Sequence, residues 1–599
     1  MAEIITGSFA KEIDRCAIDK LGIPSLWLME HAATHVARAA EEYLEQKQLQ
    51  KKTAEILVCC GVGNNGADGL LAAALLREEG YERVQVVCCG SLEKSTEEFR
   101  YQLDRVHRCS IKEGWCERAA GGPGAEKGTA ILPGQAAGLS EEPGAKLDLL
   151  IDAVFGIGLK RKVEGVFAEF IEWINLTVNH TGAHVISVDI PSGIDADLGL
   201  SMCAPLYPVH ADETVTFGWA KTGHYLNYGY GNCGKLRICD IGYPAGIIAQ
   251  TEDELHRAEI EAQLLRKKQH MAPDEEAERA KAAAQPNHID TTDISLAVCG
   301  KELSHRDVRA NKSNYQKLLI VAGAQGMAGA AYLSGLAAYR SGIGMVKYFG
   351  PEENRVILQS LLPEAMYASY ETGKLLQKEE TDQLAERLTA DLAWADCVIL
   401  GPGLSTAPEA GKLLELFAAC WEKERSSRAE KSLSEKLLVI DADALNLIAA
   451  EPKLTELYGA RTVLTPHIGE MARLTEKPAA EVKKHIITAA RDYAAQYGVN
   501  LVLKDCVSAV AVQQKGEPDP GLFLNISGSG ALAKAGSGDV LTGVIAGISA
   551  VLGGDLENAL PLAVYLHSCA GTAAAGHISA HGALARDIAN AMPEVMRVQ

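Results

Sequence analysis

The sequence predicts an α/β protein built as two large domains, and three observations carry that expectation. With 599 residues the chain is too long for one core, because single hydrophobic cores stop growing at roughly 250–300 residues. Its 57 glycines against 9 phenylalanines point to many tight turns between strands and helices. Short apolar runs also end repeatedly at glycine or a polar cluster before a helix-compatible stretch, which is the rhythm of strand–turn–helix units.

Composition narrows the function classes. Apolar residues make up 47% of the chain and charged residues 23%, ordinary values for a globular protein. The net charge of -20 gives no electrostatic support for nucleic-acid binding. Fifteen cysteines include the adjacent pairs Cys59-Cys60 and Cys88-Cys89, but no C-x-x-C, so neither structural zinc nor thioredoxin-like chemistry is indicated. The first residues alternate charge with apolar side chains and lack the basic-then-apolar pattern of a signal peptide. No apolar run reaches the ~18 residues of a membrane helix. The expectations are a reducing cytoplasm, no membrane or nucleic-acid partner, and a homo-oligomer.

Residues Ile13 to Glu45 read as two helices broken at Gly22 to Pro24. The run Glu55 to Cys60 then reads as a strand, Gly61 to Gly69 as the turn G-V-G-N-N-G-A-D-G, and Leu70 to Glu79 as a helix stopped at Gly80. The turn contains G-x-G-x-x-G, but the next strand, Arg83 to Cys89, ends in Cys-Cys-Gly where a dinucleotide fingerprint wants an acid, which argues against an ordinary nicotinamide dehydrogenase. Asn64, Asn65 and Asp68 stand at the carboxyl edge of a strand, where open parallel sheets bind ligands. A Gly/Pro/Ala/Glu-rich surface insertion fills Cys109 to Lys146, after which two more strand ends deliver Asp152, Asp189 and Ser192 to the same edge. Each acid alone fits a cap or turn. Together with Asn65, these oxygens form a cradle for a hard cation, and their low formal charge suits a monovalent one.

The stretches I-D-R-C-A-I-D-K-L-G-I-P-S-L-W-L-M-E-H-A-A, N-N-G-A-D-G, D-A-V-F-G-I-G, V-D-I-P-S-G-I-D-A-D and A-D-E-T-V-T-F-G-W-A-K-T-G make the region resemble the NAD(P)H-hydrate epimerase family, over residues 1–245. The resemblance implies a Rossmann-like three-layer fold that interconverts the epimers of nicotinamide cofactors hydrated at ring carbon 6. It implies that Asn64, Asn65, Gly66, Ala67 and Asp68, with Gly156, Ile157, Gly158, Leu159, Lys160, Arg161 and Lys162, line the hydrated nucleotide. It further implies that Asp189 acts near the reacting carbon and that Asn65, Asp152 and Ser192 hold K+. Ala67 departs from the family's usual glycine, which matters only if the position needs a positive φ.

Residues 246–294 read as a linker and docking segment with a charged helix-like piece, Asp274 to Gln285. From Tyr315 the strand–helix rhythm resumes. Leu318 to Ala322, Met345 to Phe349, Cys397 to Leu400, Leu437 to Ile440, Arg461 to Leu464 and Leu501 to Leu503 read as strands, most of them running into polar clusters such as G-P-G-L-S, D-A-D-A-L-N, T-P-H-I-G-E and K-D-C-V-S. The key stretch is Ser527 to Gly543, S-G-S-G-A-L-A-K-A-G-S-G-D-V-L-T-G, between a strand-like run and an apolar helix. A glycine-rich turn opening a helix leaves amides free for phosphate. Asp539 in that first turn suits a base that deprotonates an attacking hydroxyl, and alone it equally suits a helix cap. Lys504 adds a cation and His467 a polar contact.

Jointly these motifs resemble the ADP- or ATP-dependent NAD(P)H-hydrate dehydratase family, of ribokinase-like fold, over residues 295–599. The resemblance implies that Ala330, Gly403, His467 and Asp539 contact the hydrate, and that Lys504, Asp505, Cys506, Val507, Ser508 and Gly538 contact the nucleotide. Mg2+ would accompany ADP, the donor implied by the T-P-H-x-G-E form, or ATP. Asn311-Lys312-Ser313 stands where the family has H-K-G, and Asp505 where it has glycine. The partners expected are thus hydrated NADH or NADPH and ADP, and the reaction is phosphorylation of the ring hydroxyl followed by loss of phosphate. A ribokinase-like kinase of a vitamin or heterocycle, with a non-catalytic N-terminal binding domain, remains the alternative from the motifs alone.

Overall fold

The computed structural model describes residues 3–116, 146–268, 288–304, 309, 311–375, 377–427 and 436–597. Most of the Gly/Pro-rich insertion, and the whole helix-like piece Asp274 to Gln285, lie outside the described residues. The chain divides into two compact units, one ending at His288 and the other beginning at Ile289.

In the first unit the strands are β1 (Ile4–Ile5), β2 (Glu55–Gly61), β3 (Arg83–Cys89), β4 (Lys112–Cys116), β5 (Leu149–Ala153), β6 (His184–Val188), β7 (Glu213–Phe217), β8 (Ala220–Lys221) and β9 (Lys235–Cys239). Seven of them form a parallel sheet ordered β4-β3-β2-β5-β6-β7-β9, and β1 pairs with β8. Parallel strands are covered on both faces, so their residues are apolar almost without break; Ile56 to Cys60 and Leu149 to Ile151 are fully buried. Strand order reverses between β2 and β5, where the helices that follow the two strands diverge and a crevice opens at the carboxyl edge.

The helix after β2 begins at Asn64, not at Leu70 as the glycines predict, so Asn64, Asn65 and Asp68 occupy its first turns. The reason is packing. A Cβ on Gly66 would sit 1.8 Å from the Gly61 carbonyl oxygen, and one on Gly69 would sit 2.5 Å from Ala153 Cβ. Those glycines let helix and sheet touch rather than make the turn. Ala67 is buried inside this helix and is not among the residues with positive φ, so its methyl is accommodated.

In the second unit the strands are β10 (His288–Thr291), β11 (Lys317–Val321), β12 (Met345–Pro351), β13 (Met366–Tyr370), β14 (Cys397–Leu400), β15 (Leu437–Ile440), β16 (Thr462–Leu464), β17 (Asn500–Leu503), β18 (Ser508–Val512) and β19 (Gly521–Asn525). The order β13-β12-β11-β14-β15-β16-β17 is parallel; β18 then runs antiparallel to both β17 and β19. The strand β10, from the segment read as linker, pairs with β19. Here the order reverses between β11 and β14, and the turns beyond them are tied by Gly323 N–H to the Pro402 carbonyl (2.9 Å).

Helix Ser537–Val551 packs on helix Ala328–Arg340 at close range. A Cβ on Gly543 would meet the Ser334 carbonyl at 2.2 Å, and one on Gly547 would meet Ser341 Cβ at 2.4 Å. With nearly every residue after Asp539 buried, this helix is a core element whose first turn is held rigidly at the sheet edge. Among the described residues no helix is long and apolar enough to cross a membrane.

Candidate active sites

The carboxyl edge of the first sheet opens into a cavity of about 790 Å³. Asn64, Asn65, Asp68, Gly156, Ile157, Gly158, Leu159, Lys160, Arg161 and Asp189 line it, from separate strand ends. Gly66 and Ala67 are instead buried in helix packing, and Lys162 points to Glu164 (3.5 Å) on the surface. Lys160 donates to Ser8 Oγ (3.0 Å) and pairs with Asp197.

Asp189 is the most constrained residue of this edge. Its φ of 65° is uncommon for a residue with a Cβ and marks strain of the kind that clusters at functional sites. Several bonds hold it there: Lys221 Nζ donates to Oδ1 (2.8 Å), as does Thr216 Oγ1 (2.9 Å), and the Asp189 N–H donates to the Val215 carbonyl (2.7 Å). The His224 ring accepts from the Lys221 N–H at Nδ1 (2.9 Å), so Nε2 carries the proton and donates to the Asp189 carbonyl (2.8 Å). Burial and the Lys221 charge lower the His224 pKa to about 4, keeping the ring neutral. Burial alone would raise Asp189; the charge and hydrogen bond of Lys221, with His224 and Thr216, bring it below the ordinary carboxyl value. The surroundings of Asp189 therefore favour its ionised form.

Asp152 and Ser192 are fully buried and are not among the residues that line the cavity. The Asp152 carboxylate accepts from Ser192 Oγ (2.6 Å) and N (2.9 Å), from Ser187 Oγ (2.8 Å) and from Val154 N (3.4 Å). Burial raises its pKa and these bonds oppose that, and none of these partners is a cationic side chain. Nearby, Asn65 turns Oδ1 toward Gly156, where a Cβ would come within 2.8 Å, while its Nδ2 is buried with no partner among the described residues. A carboxylate without a counter-charge, a hydroxyl and an amide oxygen are donors that fit a weakly charged cation.

In the second unit, the turns after β11, β14, β15, β16 and β17 meet the first turn of helix Ser537–Val551. Gly403, with φ 61°, packs against Ala330, whose Cβ lies 2.9 Å from where a Gly403 Cβ would be. Lys504 Nζ donates to Asp441 Oδ1 (2.8 Å). Gly538 leaves the space beside them open, since a Cβ there would lie 3.2 Å from Lys504 Nζ and 3.7 Å from Asp441 Oδ2. Ala442, between Asp441 and Asp443, takes φ 52° and ψ -120°, a second strained backbone position. The Asp443 carboxylate accepts from Ser405 N (2.7 Å), tying the D-A-D turn to the G-P-G-L-S turn.

Asp539 is not the helix cap. Gly536, with φ 92°, occupies that position and no side chain caps the first turn, leaving its amides for an anion. Burial, then the Asp441 charge, push the Asp539 pKa up to about 7 against the pull of Lys504. Burial disfavours the Lys504 ammonium, but Asp441, Glu470 and Asp539 more than compensate and raise its pKa. His467 caps helix Ile468–Thr475: Nδ1 accepts from Gly469 N (2.8 Å) and Glu470 N (3.3 Å), and Glu470 accepts from His467 N (2.9 Å). Burial and Lys504 lower the His467 pKa, and its Nε2 lies 3.4 Å from Glu470 Oε1.

The loop Lys504 to Ser508 joins β17 to β18, with Val507 buried, Cys506 exposed and Ser508 Oγ donating to the Asp505 carbonyl (3.4 Å). Asp505 pairs with Lys483 (3.4 Å), which offsets its added charge. Asn311 caps the short helix Lys312–Tyr315. Sequence reasoning did not assign Lys221 or Asp441, although both lay inside quoted motifs, A-K-T-G and D-A-D-A-L-N. Their signal was a charged residue at a strand end, and their partners lie 32 and 63 residues away.

Two sheet-edge sites, one holding an ionised carboxylate in a deep cavity and one pairing a raised carboxyl with a lysine at an uncapped helix start, define a two-site α/β enzyme acting on nucleotide-like substrates. Residues 318–594 match the family model described as NAD(P)H-hydrate dehydratase, and residues 25–223 match YjeF-related protein N-terminus. The chain is 30% identical to the bifunctional NAD(P)H-hydrate repair enzyme of Moorella thermoacetica, covering 99% of this chain and 96% of the relative. It is 31% identical to that of Thermofilum pendens, covering 98% and 95%. A solved ADP/ATP-dependent NAD(P)H-hydrate dehydratase from Bacillus subtilis, co-crystallised with ATP/Mg2+, is 29% identical with a TM-score of 0.40, over 51% of this chain and 97% of that one. The chain belongs to the family of bifunctional NAD(P)H-hydrate repair enzymes.

Proposed function

We propose that the two units divide the repair of hydrated NADH and NADPH between them. The first interconverts the epimers at ring carbon 6 in the 790 Å³ cavity. The second phosphorylates the ring hydroxyl of one epimer with ADP or ATP and expels the phosphate, restoring the ring double bond. The observation that carries the second half is the meeting of Asp539, Lys504 and Asp441 at the uncapped start of helix Ser537–Val551.

In this reading the Gly536 to Asp539 amides and Lys504 hold the transferred phosphoryl group while Asp539 takes the hydroxyl proton. The ring oxygen bonds to phosphorus and the donor's leaving phosphate departs with the bonding pair. The carbon–oxygen bond then breaks with its electrons on the phosphate, a far better leaving group than hydroxide, while the neighbouring ring carbon gives up a proton to water and its carbon–hydrogen bonding pair closes the double bond. Mg2+, bound through the nucleotide's own phosphates, would neutralise their charge. The purified chain, given mixed epimers of hydrated NADH with ADP and Mg2+, should recover the reduced-nicotinamide absorbance. A stable phosphorylated product released in its place would indicate a small-molecule kinase.

The raised carboxyl has a consequence for pH. Asp539 serves as base only when ionised, so kcat/KM for dehydration should rise with pH through about 7 and level off above it. Asp441→Asn removes a charge that raises Asp539, so the limb should move to lower pH. A profile flat between about pH 6 and 8 would remove Asp539 from this role.

In the first unit Asn65, Asp152 and Ser192 would hold K+, which would supply the counter-charge the buried Asp152 lacks and fix the loops of the cavity. A set with one formal charge repays the dehydration of a large monovalent ion better than that of Mg2+. Epimer interconversion without nucleotide should therefore fall when Li+ replaces K+ at matched ionic strength, and Asp152→Ala should abolish that dependence. Equal rates in K+, Li+ and an organic cation would refute the ion's role.

A further inference from the structure

The first cavity holds more acid than its sequence motifs account for. Asp14 from helix Gly7–Arg15, Asp68 from helix Asn64–Glu78 and Asp189 beyond β6 all line it, with Lys11, Lys221 and Tyr243. Lys221 pairs with Asp189. Asp14 instead accepts a hydrogen bond from the Tyr243 hydroxyl, across 229 residues of sequence.

The fold builds this second pair with care. Tyr243 stacks on Trp219, with ring centroids 5.5 Å apart and planes at 24°. Gly218, at φ 69°, makes room for it, because a Cβ there would lie 2.9 Å from Tyr243 Cε2. A tyrosine fixed on both sides holds the Asp14 carboxyl in one place. Two immobilised carboxyls from separate elements thus face one cavity.

Inversion at a carbon bearing a hydroxyl can proceed by oxygen leaving one face and returning to the other, and each face then needs a group that can give or take a proton. We propose that Asp14 is a second catalytic carboxyl of the epimerase, positioned by Tyr243, and that it serves the ring face opposite Asp189. The proposal rests on the reading of the first unit as the epimerase. Asp14 gives its proton to the ring hydroxyl, and the carbon–oxygen bond breaks with its electron pair leaving on water. The ring-nitrogen lone pair closes a nitrogen–carbon double bond. A water on the other face then adds to that carbon while Asp189 takes its proton, and the nitrogen recovers its lone pair. One water leaves, one enters and one proton passes from Asp14 to Asp189; the opposite epimer runs the same steps backwards.

Two physical features favour this route. The intermediate ring is a cation, and an ionised carboxylate at Asp189 is a preorganised stabiliser for it. Their surroundings also push the two carboxyls in opposite directions, Asp14 up and Asp189 down, the pattern expected of an acid–base pair. Burial raises Asp14, and the Asp189 charge adds to that against the Tyr243 hydrogen bond and Lys221. Asp68 is likewise raised well above its ordinary value, by burial and then by the charges of Asp189 and Asp14.

The test follows separated epimers of hydrated NADPH in H2(18)O without nucleotide, using the full chain. Asp14→Asn should lower kcat for interconversion by about 100-fold, in the range of a lost general acid, with KM within about threefold. Tyr243→Phe, a conservative change, should cost about tenfold and move the alkaline limb of the kcat profile to higher pH. The sign follows from the hydroxyl's role: it stabilises the Asp14 carboxylate, so its loss leaves Asp14 protonated further up the pH scale, whereas a purely structural defect would lower the rate without moving the limb. Each inversion by the parent should bring in one labelled oxygen. Asp14→Asn matching the parent, an unmoved limb in Tyr243→Phe, or inversion that keeps the original oxygen would each overturn the proposal while leaving the epimerase reading intact. A parent chain that does not speed interconversion at all would overturn that reading, and this proposal with it.

Discussion

Asp539→Asn is expected to abolish ADP-dependent recovery of NAD(P)H, lowering kcat/KM by about 10²–10⁴, the usual contribution of a positioned general base. The amide keeps the shape of the carboxyl but cannot take a proton. It also removes a charge that helps hold Lys504 protonated, yet Asp441 remains bonded to that lysine, so nucleotide binding should survive. The loss should therefore appear in kcat, with the KM for ADP little changed. Epimer interconversion, measured without nucleotide, belongs to the other unit. Retention of dehydration within about tenfold of the parent would show that Asp539 is not the base.

Asp189→Asn should produce the complementary defect. With mixed epimers, ADP and Mg2+, the parent should consume all the hydrate, whereas the variant should consume the reactive epimer at the parental rate and then slow to the uncatalysed rate of epimer exchange. The substitution also leaves Lys221 buried without its charge partner. Breaking a buried pair in this way costs about 3–5 kcal/mol, so denaturant unfolding of the first unit should shift with it. A double variant, Asp189→Asn with Lys221→Met, removes the orphaned charge and should regain part of that stability without regaining exchange. Complete consumption of both epimers by Asp189→Asn at the parental rate would dismiss Asp189 from catalysis.

The sites were legible where chemistry is written locally. The G-S-G-D turn places a carboxylate in the first turn of a helix, which the segment alone shows, whereas only the structure shows that Gly536 and not Asp539 holds the cap position. The strands from β14 to β17 were readable for a similar reason: a parallel strand covered on both faces is an unbroken apolar run, and each ends at a glycine or polar cluster. Strands β1, β4, β7, β8, β9, β10, β13 and β18 escaped notice, β4 within the segment read as a surface insertion. β13, M-Y-A-S-Y, is only partly buried and mixes polar with aromatic residues, while the antiparallel β18 follows a polar turn too short to separate it from β17.

By itself the sequence determined the α/β class, the use of strand ends as sites and the identity of Asp539, Lys504 and Asp189 as chemical groups, because turn glycines, apolar runs and charged residues at their ends are local features. Tertiary structure decided what those groups can do. It started the helix at Asn64, because Gly66 and Gly69 were needed for contact with the sheet rather than for a turn. It ionised Asp189 by bringing Lys221 to it, raised Asp539 by burying it beside Asp441, and joined Asp14 to Tyr243 across 229 residues. A pKa depends on burial and on which charges stand nearby, and both are fixed only when distant segments pack together.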